Sequence, residues 1–295
     1  MTRDYEEYLK DDNLHINWYP GHMKKTKEMV QNNLKLVDVV IELLDARIPL
    51  SSKNPEIDKL AQNKPRVVVL NKSDLSDKAK LNKWISYYQS KGIKAIPVDT
   101  LKGNGVNKIV EECKNATKEK MDALKEKGRK ERAIRVMIVG VPNVGKSSLI
   151  NKLTGRKSTQ TGDRPGVTKG KQWVRLKGNL ELLDTPGILW PKFEDQKIAL
   201  NLAFTRAIKD EILDIDTLGL KFIEKMSEIE PEKLKARYKL DSLGEEPLET
   251  MEMIGRKRGF ILGRNELDYT RIAKTVLNEF REGKLGQITL EVPED

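Results

Sequence analysis

The stretch Ile134-Arg-Val-Met-Ile-Val-Gly-Val-Pro-Asn-Val-Gly-Lys-Ser-Ser-Leu-Ile150 constrains the fold more than any other part of this chain. A β-branched run from Ile134 to Val139 predicts a buried strand. Gly140 to Gly145 predicts a break, and Lys146 begins a helix. Gly140, Gly145, Lys146 and Ser147 keep the spacing G-x-x-x-x-G-K-S. Glycines at those points let the backbone of Asn143, Val144, Gly145, Lys146, Ser147 and Ser148 curl around phosphate oxygens, and the helix N-terminus adds its partial positive charge. Lys146 suits the β- and γ-phosphates, and the Ser147 hydroxyl suits magnesium. A plain glycine turn is the competing reading. The strand before it and the helix after it favour a nucleotide.

Two further motifs sit at predicted strand ends. Asp184-Thr-Pro-Gly187 closes a strand downstream of the phosphate loop, where Asp184 can hold magnesium through water and the Gly187 N–H can face the γ-phosphate. Asn71-Lys-Ser-Asp74 follows the run Arg66–Leu70. The Asp74 carboxylate accepts only, which suits the N1–H and N2 donors of guanine and finds no match on adenine. Asn71 suits the base N7, and the Lys72 stem can pack across the ring. A surface turn capping the next helix is the bland alternative; the position at a strand end favours GTP.

Strand-like runs alternate with helical ones up to about residue 190, so the fold class is α/β, with a mostly parallel sheet covered by helices on both faces. Expected strands are 37–44, 66–70, 93–98, 134–139, 171–176 and 180–183. Expected helices are 24–36, 54–62, 76–91 and 104–132. Between Glu112 and Arg132 eight Lys/Arg meet five Asp/Glu, so that part reads as a solvated helix or linker. Beyond residue 194 the pattern is helical alone. Tyr269, Ile272, Ala273, Val276, Leu277 and Phe280 fall on one face of a helix from Asp268 to Arg281. The expected domains are therefore 1–194, nucleotide-binding, and 195–295, all-α.

Composition narrows the class. A net charge of +10 favours a polyanionic partner such as nucleic acid, against the alternative of a lysine-rich solvated surface. The single cysteine, Cys113, excludes an internal disulfide and a clustered-cysteine zinc site. No apolar run approaches a membrane span, and the first residues have no signal-peptide core, so a cytoplasmic location is the default expectation.

The order of motifs is unusual, because the guanine motif precedes the phosphate loop by about seventy residues. A parallel sheet tolerates this, since the site forms at the carboxyl ends of several strands whatever their order in sequence. Together with Trp18-Tyr-Pro-Gly-His-Met23, Asp45-Ala-Arg-Ile-Pro49, Pro165-Gly-Val-Thr168 and Asp184-Thr-Pro-Gly187, this order resembles the circularly permuted GTPases of the YlqF/YawG type over nearly the whole chain. The resemblance implies a circularly permuted P-loop GTPase domain followed by a helical domain. It implies GTP hydrolysis stimulated by the ribosomal particle, with a role in maturing the large ribosomal subunit. It assigns Thr168 as the switch threonine facing the γ-phosphate and magnesium. It matches Asn143 to the potassium ligand of monovalent-cation-dependent GTPases, a turn-forming Asn after Pro142 being the alternative. The remaining guanine contact falls at Asp99 or Thr100, where the family usually has Ser-Ala.

Ras-like enzymes orient the attacking water with a glutamine after Asp-x-x-Gly. Ile188 stands there in this chain and has neither donor nor acceptor. The resemblance matches His22 to the proposed catalytic histidine, and an imidazole near its ordinary pKa suits that work. Contact with rRNA phosphate, or capping of the next helix, is the alternative. In the helical domain Arg256, Lys257, Arg258 and Arg264, with Arg271, Lys274 and Arg281 on the 268–281 helix, form a basic surface that suits an RNA backbone. The expected activity is thus a magnesium-dependent GTPase acting on the large-subunit precursor and its rRNA, released after hydrolysis and monomeric off the ribosome, with no membrane or DNA partner. The rivals are a GTPase acting on another RNA such as tRNA, and a GTP-gated switch with a protein effector.

Overall fold

The computed structural model describes residues 23–61, 64–155, 173–183 and 195–293. These fall into two compact units. One holds the described residues between 23 and 183 together with 291–293, and the other holds 195–290. The chain thus re-enters the nucleotide unit at Glu291, and the helical unit ends five residues earlier than the expected 195–295.

The nucleotide unit is built on strands β1 (Val39–Asp45), β2 (Arg66–Asn71), β3 (Lys94–Val98), β4 (Ile134–Val139), β5 (Trp173–Leu176) and β6 (Leu180–Leu183). They form one sheet in the order β3-β2-β1-β4-β6-β5. All neighbours are parallel except the β5–β6 hairpin, which is antiparallel. Every residue of β1 is buried, because helices cover both faces, which is why these strands read as continuous apolar runs. On one face Val40, Met137, Val139 and Leu183 pack with Val30 and Leu34 of α1 (Met23–Leu34) and Ile57 of α2 (Pro55–Leu60). Leu44, Val68 and Leu70 pack with Leu81, Trp84 and Tyr88 of α3 (Lys78–Ser90). The strand order reverses between β1 and β4. That is the switch point where open α/β sheets hold their ligands.

Helix α4 (Val106–Glu126) carries the chain from the guanine half back to β4. It stops at Lys127 and Gly128, six residues short of the sequence expectation, and it is not merely a solvated linker. Val106, Ile109, Cys113 and Thr117 are buried at helical spacing, and burial pushes the Cys113 thiol up to about 12. The segment after α4 is fastened at one point. The buried Asp38 carboxylate accepts from Lys120 Nζ (2.6 Å), both terminal nitrogens of Arg132 (2.7 and 2.9 Å) and the Arg135 amide (2.9 Å). Burial would raise this carboxyl, but those donors outweigh it and hold it far below the usual carboxylate range.

The helical unit contains α6 (Gln196–Phe204), α7 (Ile215–Ile229), α8 (Pro231–Tyr238), α9 (Pro247–Arg258) and α10 (Tyr269–Arg281). The expected face of α10 is its buried face: Ile272, Ala273, Val276, Leu277 and Phe280 lie in the core, with Asp268 capping the Arg271 amide. Phe222 packs between Phe204, edge-on, and Phe280, tilted, at ring distances of 5.1 and 4.8 Å. Helices α7 and α10 touch at Gly219, where an added Cβ would lie 2.4 Å from Ala273 Cβ. Among the described residues no helix is long and apolar enough to cross a membrane.

Candidate nucleotide site

The phosphate loop leaves β4 at the switch point and enters α5 (Lys146–Thr154). Gly145 stands before the first helical residue with φ 102°, a conformation that favours glycine. A side chain there would also collide with Asn71, whose Nδ2 lies 2.2 Å from the position of a Cβ. Glycine is required because the guanine motif comes right up to the loop.

That approach is made by hydrogen bonds across a long stretch of sequence. Asn71 Nδ2 donates to the Val144 carbonyl at 2.7 Å, over a separation of 73 residues. Its Oδ1 accepts from the Thr100 amide at 3.3 Å. One buried amide therefore ties the ends of β2, β3 and β4 together. Lys72, with φ 58°, donates from Nζ to the Asn143 carbonyl at 2.8 Å, so a second residue of the guanine motif reaches the phosphate loop. Asp74 is half-buried beside them.

Lys72 Nζ has another partner that the sequence reading did not identify. It lies 3.0 Å from Asp45 Oδ2 at the end of β1. The same carboxylate accepts from Arg47 at three points: the amide (3.0 Å), Nε (2.9 Å) and a terminal nitrogen (2.8 Å). Asp45 and Arg47 are 2% and 1% exposed. Burial alone would raise Asp45, yet Arg47 and Lys72 hold it far below the ordinary range. Burial lowers Lys72, and Asp45 opposes that. The signal in the sequence is the motif Asp45-Ala-Arg-Ile-Pro49, an acidic residue closing an apolar strand two positions before an arginine.

The loop after β3 places Asp99 and Thr100, the expected guanine contacts, beside Asn71. Asp99 Oδ1 accepts from its own turn, the amides of Leu101 (2.9 Å) and Lys102 (3.0 Å). The Asp99 amide donates to the Asn104 carbonyl (3.1 Å) and the Thr100 amide to Asn71. With these amides engaged inside the loop, Asp99 shapes the turn and Thr100 steadies Asn71. His22, Thr168, Asp184 and Gly187 lie outside the described residues. Lys146, Ser147 and Ser148 stand half-buried on the first turn of α5, and Asn143 is exposed.

The predicted basic surface divides in two. Arg256, Lys257, Arg264, Arg271 and Lys274 are exposed, Arg271 lying over the Phe260 ring at 4.5 Å. A shallow groove of about 330 Å³ runs along Asp268, Arg271, Lys274 and Asn278. Arg258 is partly turned inward, to Glu279 at 3.1 Å and over the Tyr238 ring at 5.3 Å. Arg281 is not on the exposed face. Its guanidinium is 10% exposed, pairs with Asp210 at 2.8 Å and donates to the carbonyls of Ala203 and Phe204 at the end of α6. Helical periodicity placed it outward because those acceptors come from another segment.

A phosphate loop on the central strand, with the guanine motif delivered by an earlier strand of the same sheet, defines a P-loop GTPase in circularly permuted order. Residues 135–248 match the family described as 50S ribosome-binding GTPase. The chain belongs to the ribosome biogenesis GTPase A family and is a GTPase involved in ribosome biogenesis. The Bacillus cereus ribosome biogenesis GTPase A is 50% identical over 280 residues, 95% of each chain. That of Priestia megaterium is 47% identical over 281 residues, covering 95% of this chain and 98% of the relative. The GNP-bound structure of YlqF from T. maritima superposes with a TM-score of 0.63 at 29% identity, covering 92% of this chain and 99% of that one.

Proposed function

We propose that the chain hydrolyses GTP held at the carboxyl ends of β1 to β4, and that it does so as an assembly factor on the precursor of the large ribosomal subunit. Asp74 reads the guanine edge, Lys72 packs along the base, and residues 143–148 wrap the phosphates. The observation that carries this reading is the Asn71–Val144 hydrogen bond, which joins the guanine and phosphate motifs into one crevice despite their inverted order. Ser147, on the first turn of α5, suits magnesium together with Thr168 and Asp184. When bound, that ion neutralises charge building on the phosphate oxygens. Asn143 is the residue proposed for potassium, and His22 the one proposed to orient the attacking water.

Docking is proposed through exposed Arg256, Lys257, Arg264, Arg271 and Lys274 on rRNA phosphates, with Arg258 contributing less because Glu279 already engages it. The GTP form binds the particle and hydrolysis releases it. The test is GTP turnover with and without purified large subunits, in potassium and in sodium buffer. Strong stimulation by the subunit is expected, together with co-sedimentation in GTP but not in GDP. Stimulation by tRNA or by a protein fraction alone would move the target elsewhere. His22→Ala is expected to lower kcat about 100-fold or more with GTP affinity unchanged; an equal loss in both would remove His22 from the chemistry.

A further inference from the structure

We propose that Asp45 is a positioning residue for nucleotide binding: it draws the ammonium of Lys72 inward so that the lysine stem is fixed along the guanine ring. The inference rests on the guanine reading of residues 71–74.

A carboxylate at 2% exposure is expensive to bury unless every lone pair is engaged. Asp45 receives four donors, two on each oxygen, and one of the four is Lys72. Arg47 alone would neutralise the charge. Lys72 is a second cation on the same carboxylate, beyond what neutralising Asp45 calls for, and the Asp74 carboxylate also acts on it. Lys72, moreover, has left-handed backbone, φ 58°, uncommon for a side chain of this kind. It occupies that conformation with its ammonium shared between Asp45 and the Asn143 carbonyl, at 3.0 and 2.8 Å.

The four methylenes of a flexible lysine stem ordinarily follow the charged head into water. Fixing the head at two points fixes the stem between them, and the base then meets an apolar surface already in place. The entropy of ordering that side chain has been spent before the nucleotide arrives. Asp45 is itself held in register: its amide donates to Ser52 Oγ at 3.0 Å, and that hydroxyl donates to the Ile48 carbonyl at 2.7 Å. The 45–52 turn is thus a bracket behind the guanine motif, built from residues that would not touch the nucleotide.

The test is a double-mutant cycle on the full chain, read by titration with fluorescent GDP and by steady-state GTP turnover. Asp45→Asn is expected to weaken GDP about 10- to 100-fold, the loss of one charged hydrogen bond, with kcat at saturating GTP within about twofold. Lys72→Met, which keeps most of the stem but loses the ammonium, is expected to weaken GDP at least as much, since it also loses the bond to Asn143. The double variant is expected to be no worse than Lys72→Met alone, because both substitutions remove the Asp45–Lys72 pair and Lys72→Met also removes the bond to Asn143. Lys72 is 24% exposed, so its variant keeps the test open where Asp45→Asn does not fold. Wild-type affinity in Lys72→Met, or additive losses in the double variant, would overturn the proposal. Asp74→Asn separates this outcome from the reading beneath it. If that variant fails to shift preference from guanosine to xanthosine diphosphate, the guanine reading itself falls. If it shifts while Asp45→Asn binds GDP normally, only the positioning role is lost.

Discussion

Glu42 lies in the middle of β1, three residues before Asp45, with 2% of its surface exposed. Neither carboxylate oxygen has a hydrogen-bond partner among the described residues. Arg66 approaches Glu42 Oε2 only to 3.6 Å, because its guanidinium is also engaged by Asp58. Burial therefore dominates and pushes the carboxyl from 4.5 up to about 7, against the weaker pull of Arg66 and Lys53. A carboxyl raised in the folded state favours folding while both states hold the proton, and that advantage is lost as pH rises from the unfolded value through the folded one. The displacement corresponds to about 3 kcal/mol above pH 7. Glu42→Gln removes the titration and leaves the shape. Its stability relative to the parent should rise by about 2 kcal/mol between pH 5 and pH 8, whatever constant offset the buried amide adds. Urea melts of nucleotide-free protein, followed by tryptophan fluorescence, measure this at both pH values. Every other titrating group cancels in the difference between variant and parent. A difference that does not change with pH, or one that turns against the glutamine as pH rises, refutes the reasoning.

Three other substitutions test the framework. Asn71→Ala removes the bond to the Val144 carbonyl and should weaken fluorescent GDP about 10-fold or more, since a buried carbonyl is left unpaired; affinity within twofold of the parent would mean the loop holds itself. Asp38→Asn unfastens Lys120 of α4 and Arg132 beyond it from the start of β1, and should cost about 1–3 kcal/mol at pH 7 in urea melts. Because the Asp38 carboxyl is held low, that cost should shrink only as pH falls below the ordinary Asp value and through the folded one. Gly219→Val forces α7 away from Ala273 and should lower stability by about 1–3 kcal/mol, with partial recovery on adding Ala273→Gly; an unchanged melt would show that the helices have room.

Much of the fold was legible because its signals are local. The apolar runs of β1, β2 and β4 announce strands buried on both faces, and the spacing 140–147 announces the turn between β4 and α5. The period of α10 gave its core face almost residue for residue. The permuted order could be read because both motifs keep their own strand contexts. What stayed hidden depends on single polar groups whose partners are far along the chain. Asp38 meets Arg132 at a separation of 94 residues, and Arg281 meets Asp210 at 71. No periodicity encodes such a pairing, and an isolated Asp or Arg reads as surface.

The return of the chain at Glu291 bears on how the protein is made. The Glu291 carboxylate accepts from the Leu50 amide, the Ser51 amide at 2.8 Å and Ser51 Oγ at 2.6 Å, while its carbonyl accepts from the Trp84 indole at 3.2 Å. These groups belong to the first half of the nucleotide unit, and they receive their partner 207 to 241 residues later. Chains emerge N-terminus first and their domains generally fold as units. Here the nucleotide unit waits for residues that follow the whole helical unit, so a nascent chain can complete its helical unit while the 48–52 turn is still uncovered. For the same reason, cutting the gene between the two units leaves the nucleotide half without one of its own parts.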